Sequence, residues 1–440
     1  MSRPGSAATA IAECRREYLP YARFGLAVVA AELAVLFIGA LLPTPLYPLY
    51  RHAFGFGGLT LTLVYAVYVL GNVTALLFFG RLSDQIGRRA VILPALGIGL
   101  VSTLVFLCAD GTAWLYMARV LSGLATGLGA GAATAWIAEL YPRGDRAAAA
   151  ALASAANFAG CALAPLFAGA LAQLAPAPLR LSYAAYGVVL VVTAAAVLAV
   201  PETAAHRTSL ADVGLRPRVG VPSQIRLAFV VPAVTAFASF ALLGFYAALI
   251  PSLLGESLHL RAPLIAGAVV GELFGVAAVA AALTSAMSDR TAMFGGIALL
   301  PPSLALLVAA QLLHSLPLLL GAAALGGVAA ALGYRGSLGV VNRIAPDDRR
   351  SEVVSSYLIA VYCGNSVPVI GVGLLAAATG PEPAHLVFAA VTALLAGAAW
   401  MIGRRSDQPD RSYEAQGRRA CRNRSTAATS PRRMPGSSAE

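Results

Sequence analysis

The sequence predicts an all-α polytopic membrane protein, with twelve transmembrane helices arranged as two pseudo-symmetric six-helix bundles. Three observations carry the prediction. Of 440 residues, 59% are hydrophobic and 12% charged, and the mean hydropathy is +0.77, far from the balance of water-soluble chains. Apolar runs of about 20 residues, the length a helix needs to cross a bilayer, recur twelve times. The second half also repeats the spacing of the first at an offset of about 202 residues.

In chain order, residues 1–23 form an N-terminal segment whose Arg3, Arg15, Arg16 and Arg23 resemble the charged start of a signal peptide. The apolar run behind it lacks a small-residue cleavage site, so it reads as an uncleaved first span. Runs at 24–46, 60–80, 90–109, 113–138, 148–173 and 181–200 make the first bundle, residues 24–201. A polar, arginine-bearing linker covers 202–225. Runs at 227–250, 262–285, 293–312, 317–336, 353–379 and 384–403 make the second bundle, residues 226–403. Residues 404–440 are rich in Arg, Ser and Pro and cannot bury a core, so a disordered basic tail is expected, solvated or leaning on anionic head groups.

Arginine placement orients the spans. Loops on the side of the termini carry Arg81, Arg88, Arg89, Arg143, Arg146, Arg290, Arg343, Arg349 and Arg350 besides those of the linker, whereas the opposite loops carry Arg51, Arg180 and Arg261. The positive-inside bias then puts both termini in the cytoplasm, with the chain in a bacterial inner membrane. The net charge of +11 is thus topological, and no nucleic-acid partner is expected. All 31 basic residues are arginine; with no lysine there is no phosphate-binding loop of the Gly-Lys-Ser/Thr kind, and ATP-driven transport is not expected. Cysteines and histidines show no metal-ligand or disulfide spacing, so no metal, cofactor or catalytic centre is expected.

Between the second and third runs lies Gly80-Arg81-Leu82-Ser83-Asp84-Gln85-Ile86-Gly87-Arg88-Arg89. Gly80 and Gly87 permit a tight reversal. Arg81, Arg88 and Arg89 are too costly to bury in hydrocarbon and hold the turn in water. Asp84, at a helix end among guanidiniums, can pair with Arg88 or with a neighbouring helix N-terminus. Ser288-Asp289 repeats Ser83-Asp84 at the end of the eighth run, but Ala292 and Met293 stand where the first copy has Gly87 and Arg88.

This stretch resembles the loop signature of the major facilitator superfamily, motif A, at Gly80, Arg81, Leu82, Asp84, Gly87, Arg88 and Arg89, with Gln85 departing from the usual basic residue. Residues 24–403 together look like a transporter of that family. The resemblance implies a gating cluster of Gly80, Arg81, Asp84, Gly87, Arg88, Arg89 and Asp289, which locks the halves when the cavity opens outward. Topology anchoring alone is the plainer alternative for Arg81 and Arg89. Arg119, inside the fourth run, resembles the motif B arginine tied to proton coupling; placed near the outer end, it can instead snorkel to the surface. Gly160 through Gly169, around Pro165, resembles motif C of drug and proton antiporters, with Ala164 and Ala168 in place of glycine. Gly160, Pro165 and the matching Pro368 are candidate helix-bend positions.

Two further charges lie within spans, Glu32 and Glu272. Removal from water disfavours a charged carboxylate, so either can take up and release a proton as water access alternates. A fixed Glu32 to Arg119 ion pair is the alternative for the first, and a protonated side chain bonded to a neighbour is the alternative for Glu272. Tyr65, Tyr68, Asn72, Asn157, Tyr246, Tyr362 and Asn365 are candidate substrate-cavity residues, although aromatics in membrane helices also serve packing. The resemblance implies a secondary active transporter working as a monomer by alternating access, with a small-molecule substrate, protons and the lipid bilayer as partners. It favours efflux of small organic molecules or drugs. Uptake of a sugar or organic acid stays open, as do a polytopic membrane enzyme and a transport-incompetent sensor.

Overall fold

This computed structural model describes residues 5–80, 82–203 and 219–405, without the side chains of 5–22, 143, 146, 147 and 405. Arg81, most of the expected linker 202–225 and the expected tail from 406 onward lie outside the described residues. Twelve helices long and apolar enough to cross a membrane are present, with no strand among the described residues. Spans 1 to 6 are Arg23–Phe54, Gly58–Phe79, Arg88–Leu107, Thr112–Leu140, Ala148–Leu174 and Pro178–Leu198. Spans 7 to 12 are Ser223–Glu256, Pro263–Leu283, Asp289–Leu312, Leu316–Ile344, Asp347–Thr379 and Pro381–Arg404.

The structure departs from the hydropathy runs mainly at span ends. Spans 7 and 10 run to Glu256 and Ile344, several residues past the expected 250 and 336. A helix continues while its backbone is internally bonded, whereas an apolar run measures only the hydrocarbon it crosses. Span 1 is composite: its main helix ends at Leu41, a 3-10 turn covers Thr44–Leu46 after Pro43, and a short helix, Tyr47–Phe54, closes on Gly55 with φ 67°. Side chains such as Val101, Val188 and Leu394 on spans 3, 6 and 12 are at least half exposed and apolar, as lipid-facing helices require.

The halves meet along two seams, span 5 against span 8 and span 2 against span 11. Absent side chains make the first seam possible: a Cβ at Gly267 would strike the Pro165 carbonyl, and one at Gly169 would lie 2.6 Å from the Pro263 carbonyl. Ala164 and Ala168, the departures from the motif C pattern, are fully buried beside these contacts. The described bonds between the halves run from mid-membrane to the face away from the termini. Tyr65 donates to Asn365 at 3.1 Å, the Leu264 N–H to Gln173 at 3.3 Å, and Arg51 pairs with Glu256 at 2.7 Å. The bundle is therefore drawn together at its far end.

Candidate functional site

At mid-membrane the halves enclose a cavity of about 100 Å³. That is below the roughly 300 Å³ of ordinary ligand sites, so this conformation is contracted around its site. Of the candidate substrate-cavity residues, Tyr65, Tyr68, Asn157, Tyr362 and Asn365 line it. Asn72 and Tyr246 do not line it. Asn72 is fully buried, turned toward span 4 beside Gly127, and donates to the Tyr68 hydroxyl at 2.8 Å. Tyr246 is fully buried in the second half, next to Phe245. Phe37, Phe158, Cys161, Phe240, Phe274 and Tyr334 are also among the lining residues. These were not legible in the sequence, because an aromatic on an apolar helix carries no mark of the face it presents.

Arg119 is the one charged side chain lining the cavity among the described residues. It is 1% exposed, so it does not snorkel. Its Nη1 donates to the Ala40 carbonyl at 2.6 Å and its Nη2 to the Tyr65 carbonyl at 3.2 Å, while Nε has no partner. The guanidinium lies 4.7 Å from the Tyr68 ring centre and 5.6 Å from that of Tyr65. Two carbonyl dipoles and two ring faces thus stand in for a counter-ion.

Glu32 is elsewhere. It is fully buried with both carboxyl oxygens unpartnered, inside the first half, where a Cβ at Gly129 would lie 3.2 Å from Oε1. Ala40, which holds Arg119, is eight residues further along, roughly 12 Å on a helix, so the fixed Glu32 to Arg119 pair is not formed. Glu272 is partly buried, with Oε2 unpartnered and Tyr246 as an electrostatic neighbour, and it does not line the cavity.

At the terminal side, Arg88 is 8% exposed and gathers the turn. It pairs with Asp84, donates from Nη1 to Ser83 at 2.7 Å, and from Nη2 to Glu139 at 2.6 Å. Glu139 also accepts from Thr203, and the Glu202 carboxylate takes the backbone N–H groups of Arg88 and Arg89 at 3.0 Å each. Arg89 donates from Nη2 to the Val200 carbonyl. None of these bonds reaches the second half. Gly87 makes the reversal with φ 110°, whereas Gly80 is right-handed at φ −57°, so only one of the two glycines is needed for the turn's conformation.

The second copy of the turn is wired in reverse. Asp289 pairs with Arg343 at 2.5 Å. Arg343 stands one residue before the end of span 10, as Glu139 stands one residue before the end of span 4. The arginine lost from the turn at Met293 is thus supplied from the helix that carries the acid in the first half. Glu139, Glu202 and Arg343 were not singled out from sequence, since a charge at a span end is the ordinary case.

A profile of the Major Facilitator Superfamily matches residues 31–312 and, overlapping, 279–435. The chain belongs to the Major Facilitator Superfamily. It is a multi-pass membrane transporter of small molecules and not an enzyme. The quinolone resistance protein NorA of Staphylococcus aureus (strain COL) is 28% identical over 120 residues, 27% of this chain and 31% of that protein. Multidrug resistance protein D of Escherichia coli (strain K12) is 35% identical over 80 residues, 18% of this chain and 20% of that protein. The matched stretches therefore span less than a third of either relative.

Solved superfamily structures share the fold across nearly the whole chain. A bacterial homologue of the human lysosomal transporter Spinster, inward-facing and unoccupied, superposes with TM-score 0.70 at 16% identity, covering 88% of this chain and 97% of that one. A peptide transporter POT, solved as a point mutant, superposes with TM-score 0.69 at 13% identity, covering 87% and 94%. Within this superfamily architecture the bend candidates differ in setting. Pro165 and Gly160 pack at helix contacts, where a Cβ at Gly160 would strike the Ala34 carbonyl. Pro368 lines an apolar crevice of about 340 Å³ between spans 7, 11 and 12.

Proposed function

We propose that this transporter is a proton-coupled exporter of small organic molecules, acting as a monomer in a bacterial inner membrane with both termini in the cytoplasm. The observation that carries the reading is the mid-membrane cavity lined by both halves, with the bonds that join the halves lying between it and the far face. With arginine-rich loops inside, this conformation is the inward-facing one, which the fold similarity to an inward-facing structure supports. The two partial relatives are named for quinolone and multidrug resistance, which favours export. In this reading Asp84, Arg88 and Glu139 form the cytoplasmic gate, Asp289 and Arg343 its reversed counterpart, and Glu32, Arg119 and Glu272 serve proton coupling.

Glu32 is the leading proton carrier, because it is a fully buried carboxyl with no partner for either oxygen, and burial of an unpartnered charge is costly. In proteoliposomes with an imposed pH gradient, wild-type protein moves substrate uphill. Glu32→Gln loses that gradient-driven component by roughly a hundredfold or more, the scale of a removed general acid–base group, while keeping downhill exchange. Unchanged proton-driven flux in Glu32→Gln would remove Glu32 from the coupling path. A broad compound screen with no gradient-driven flux at all would remove coupled transport.

A further inference from the structure

We propose that the central cavity takes planar aromatic compounds bearing a carboxylate, with the anion received by Arg119, and that it rejects the corresponding cations. The inference rests on the transport reading and names the substrate class of the same site. Arg119 is 1% exposed, carries a full charge and has no carboxylate partner among the described residues. An isolated buried cation is costly, and two carbonyls with two ring faces offset only part of that cost. A guanidinium has five N–H donors, of which two are used here; Nε is buried and unpartnered.

The remaining polar lining is also short of negative charge. No Asp or Glu lines the cavity among the described residues. Asn157 and Asn365 contribute amide N–H donors, while their carbonyls already accept from Cys161 at 3.7 Å and Tyr65 at 3.1 Å. The acceptor that this site lacks is what a carboxylate brings. The tyrosine faces that would attract a cation, Tyr65 and Tyr68, are already under Arg119. Phe158 and Phe274, tilted against each other, Tyr334, packed on Phe240 and Tyr357, and Tyr362 give the cavity an aromatic wall for a flat ring as it widens.

A matched set of naphthoate, naphthamide and naphthylmethylammonium separates charge from shape. Binding is measured by calorimetry on the full chain in lipid nanodiscs. Naphthoate is expected to bind roughly tenfold to a hundredfold tighter than naphthamide, the worth of a charge-assisted hydrogen bond, with the ammonium weakest. Arg119→Gln brings naphthoate to the level of naphthamide, and Arg119→Lys, keeping charge without the fork, retains part of the preference. Asn157→Asp, which adds an acid to the lining, reverses the order in favour of the ammonium. The wild-type ratio is a test even where Arg119→Gln fails to fold.

Equal or tighter binding of the ammonium in wild type overturns the proposal, as does no binding of any of the three, or an undiminished carboxylate preference in folded Arg119→Gln. Gradient-driven export of cations without naphthoate binding would keep the transport reading and sink this one. Naphthoate preference without any gradient-driven flux would uphold this proposal and sink proton-coupled export.

Discussion

Arg88→Ala cuts transport by roughly thirtyfold to a hundredfold while leaving the membrane-embedded fold intact. One guanidinium holds the turn residues Ser83 and Asp84 to Glu139 at the end of span 4. The contributions are unequal. The Asp84 side chain is 59% exposed, so its pair with Arg88 is screened and contributes about 0–1 kcal/mol. Glu139 is 34% exposed and receives two guanidinium nitrogens, so this contact dominates, at about 2–3 kcal/mol. In the proposed gate this cluster, which lies within the first half, breaks in the other conformation, and losing that amount shifts the ratio of the two by about thirtyfold to a hundredfold or more. A double-mutant cycle of Arg88→Ala with Glu139→Gln, read by flux, is expected to show strong coupling, and the cycle with Asp84→Asn little. Equal coupling to both acids would contradict the assignment.

Gly267→Val is the second large effect. Its Cβ has no room: the nearest atom is a backbone carbonyl, that of Pro165, and neither helix can move a carbonyl aside as it can a flexible side chain. Overpacking of this kind costs about 1–3 kcal/mol, charged only to the state in which spans 5 and 8 touch at this point. The variant therefore leaves the closed-far-end state, its population relative to the alternative falling by about tenfold or more. Transport stalls because the cycle needs both states. Protease protection of the far-side loops checks this; unaltered protection together with normal flux would show that the seam gives freely.

Much of this architecture was legible in the sequence because the bilayer makes errors expensive. A run such as 90–109 cannot be explained in water, and a charge inside one, as at Arg119, stands out by its cost. The turn at Gly80 through Arg89 was legible for the same reason. What stayed hidden depended on helix rotation and on depth. Glu32 and Arg119 both interrupt apolar runs, but which way Glu32 faces is set by how span 1 rolls against span 4, and no local pattern states that roll. Tyr246 and Phe240 are both aromatic and lie on one helix, yet only Phe240 lines the cavity. Glu139, Glu202 and Arg343 sit where any soluble end would carry charge. Their pairing appears only once spans 4, 6 and 10 are folded back to the turns.

In the proposed transport cycle the halves rock about the cavity, so that the far end opens as the terminal end closes. Paired electron-spin distance measurements on the full chain in nanodiscs test it most directly. One label pair sits at the exposed far-face positions His52 and Arg261, the other at the exposed terminal-side positions Ala150 and Ala286. Gly267→Val is expected to lengthen the far-face distance and shorten the terminal-side distance together, relative to the same labels on the wild-type background. Two distances that stay fixed, or that lengthen together, would contradict rocking of two rigid halves.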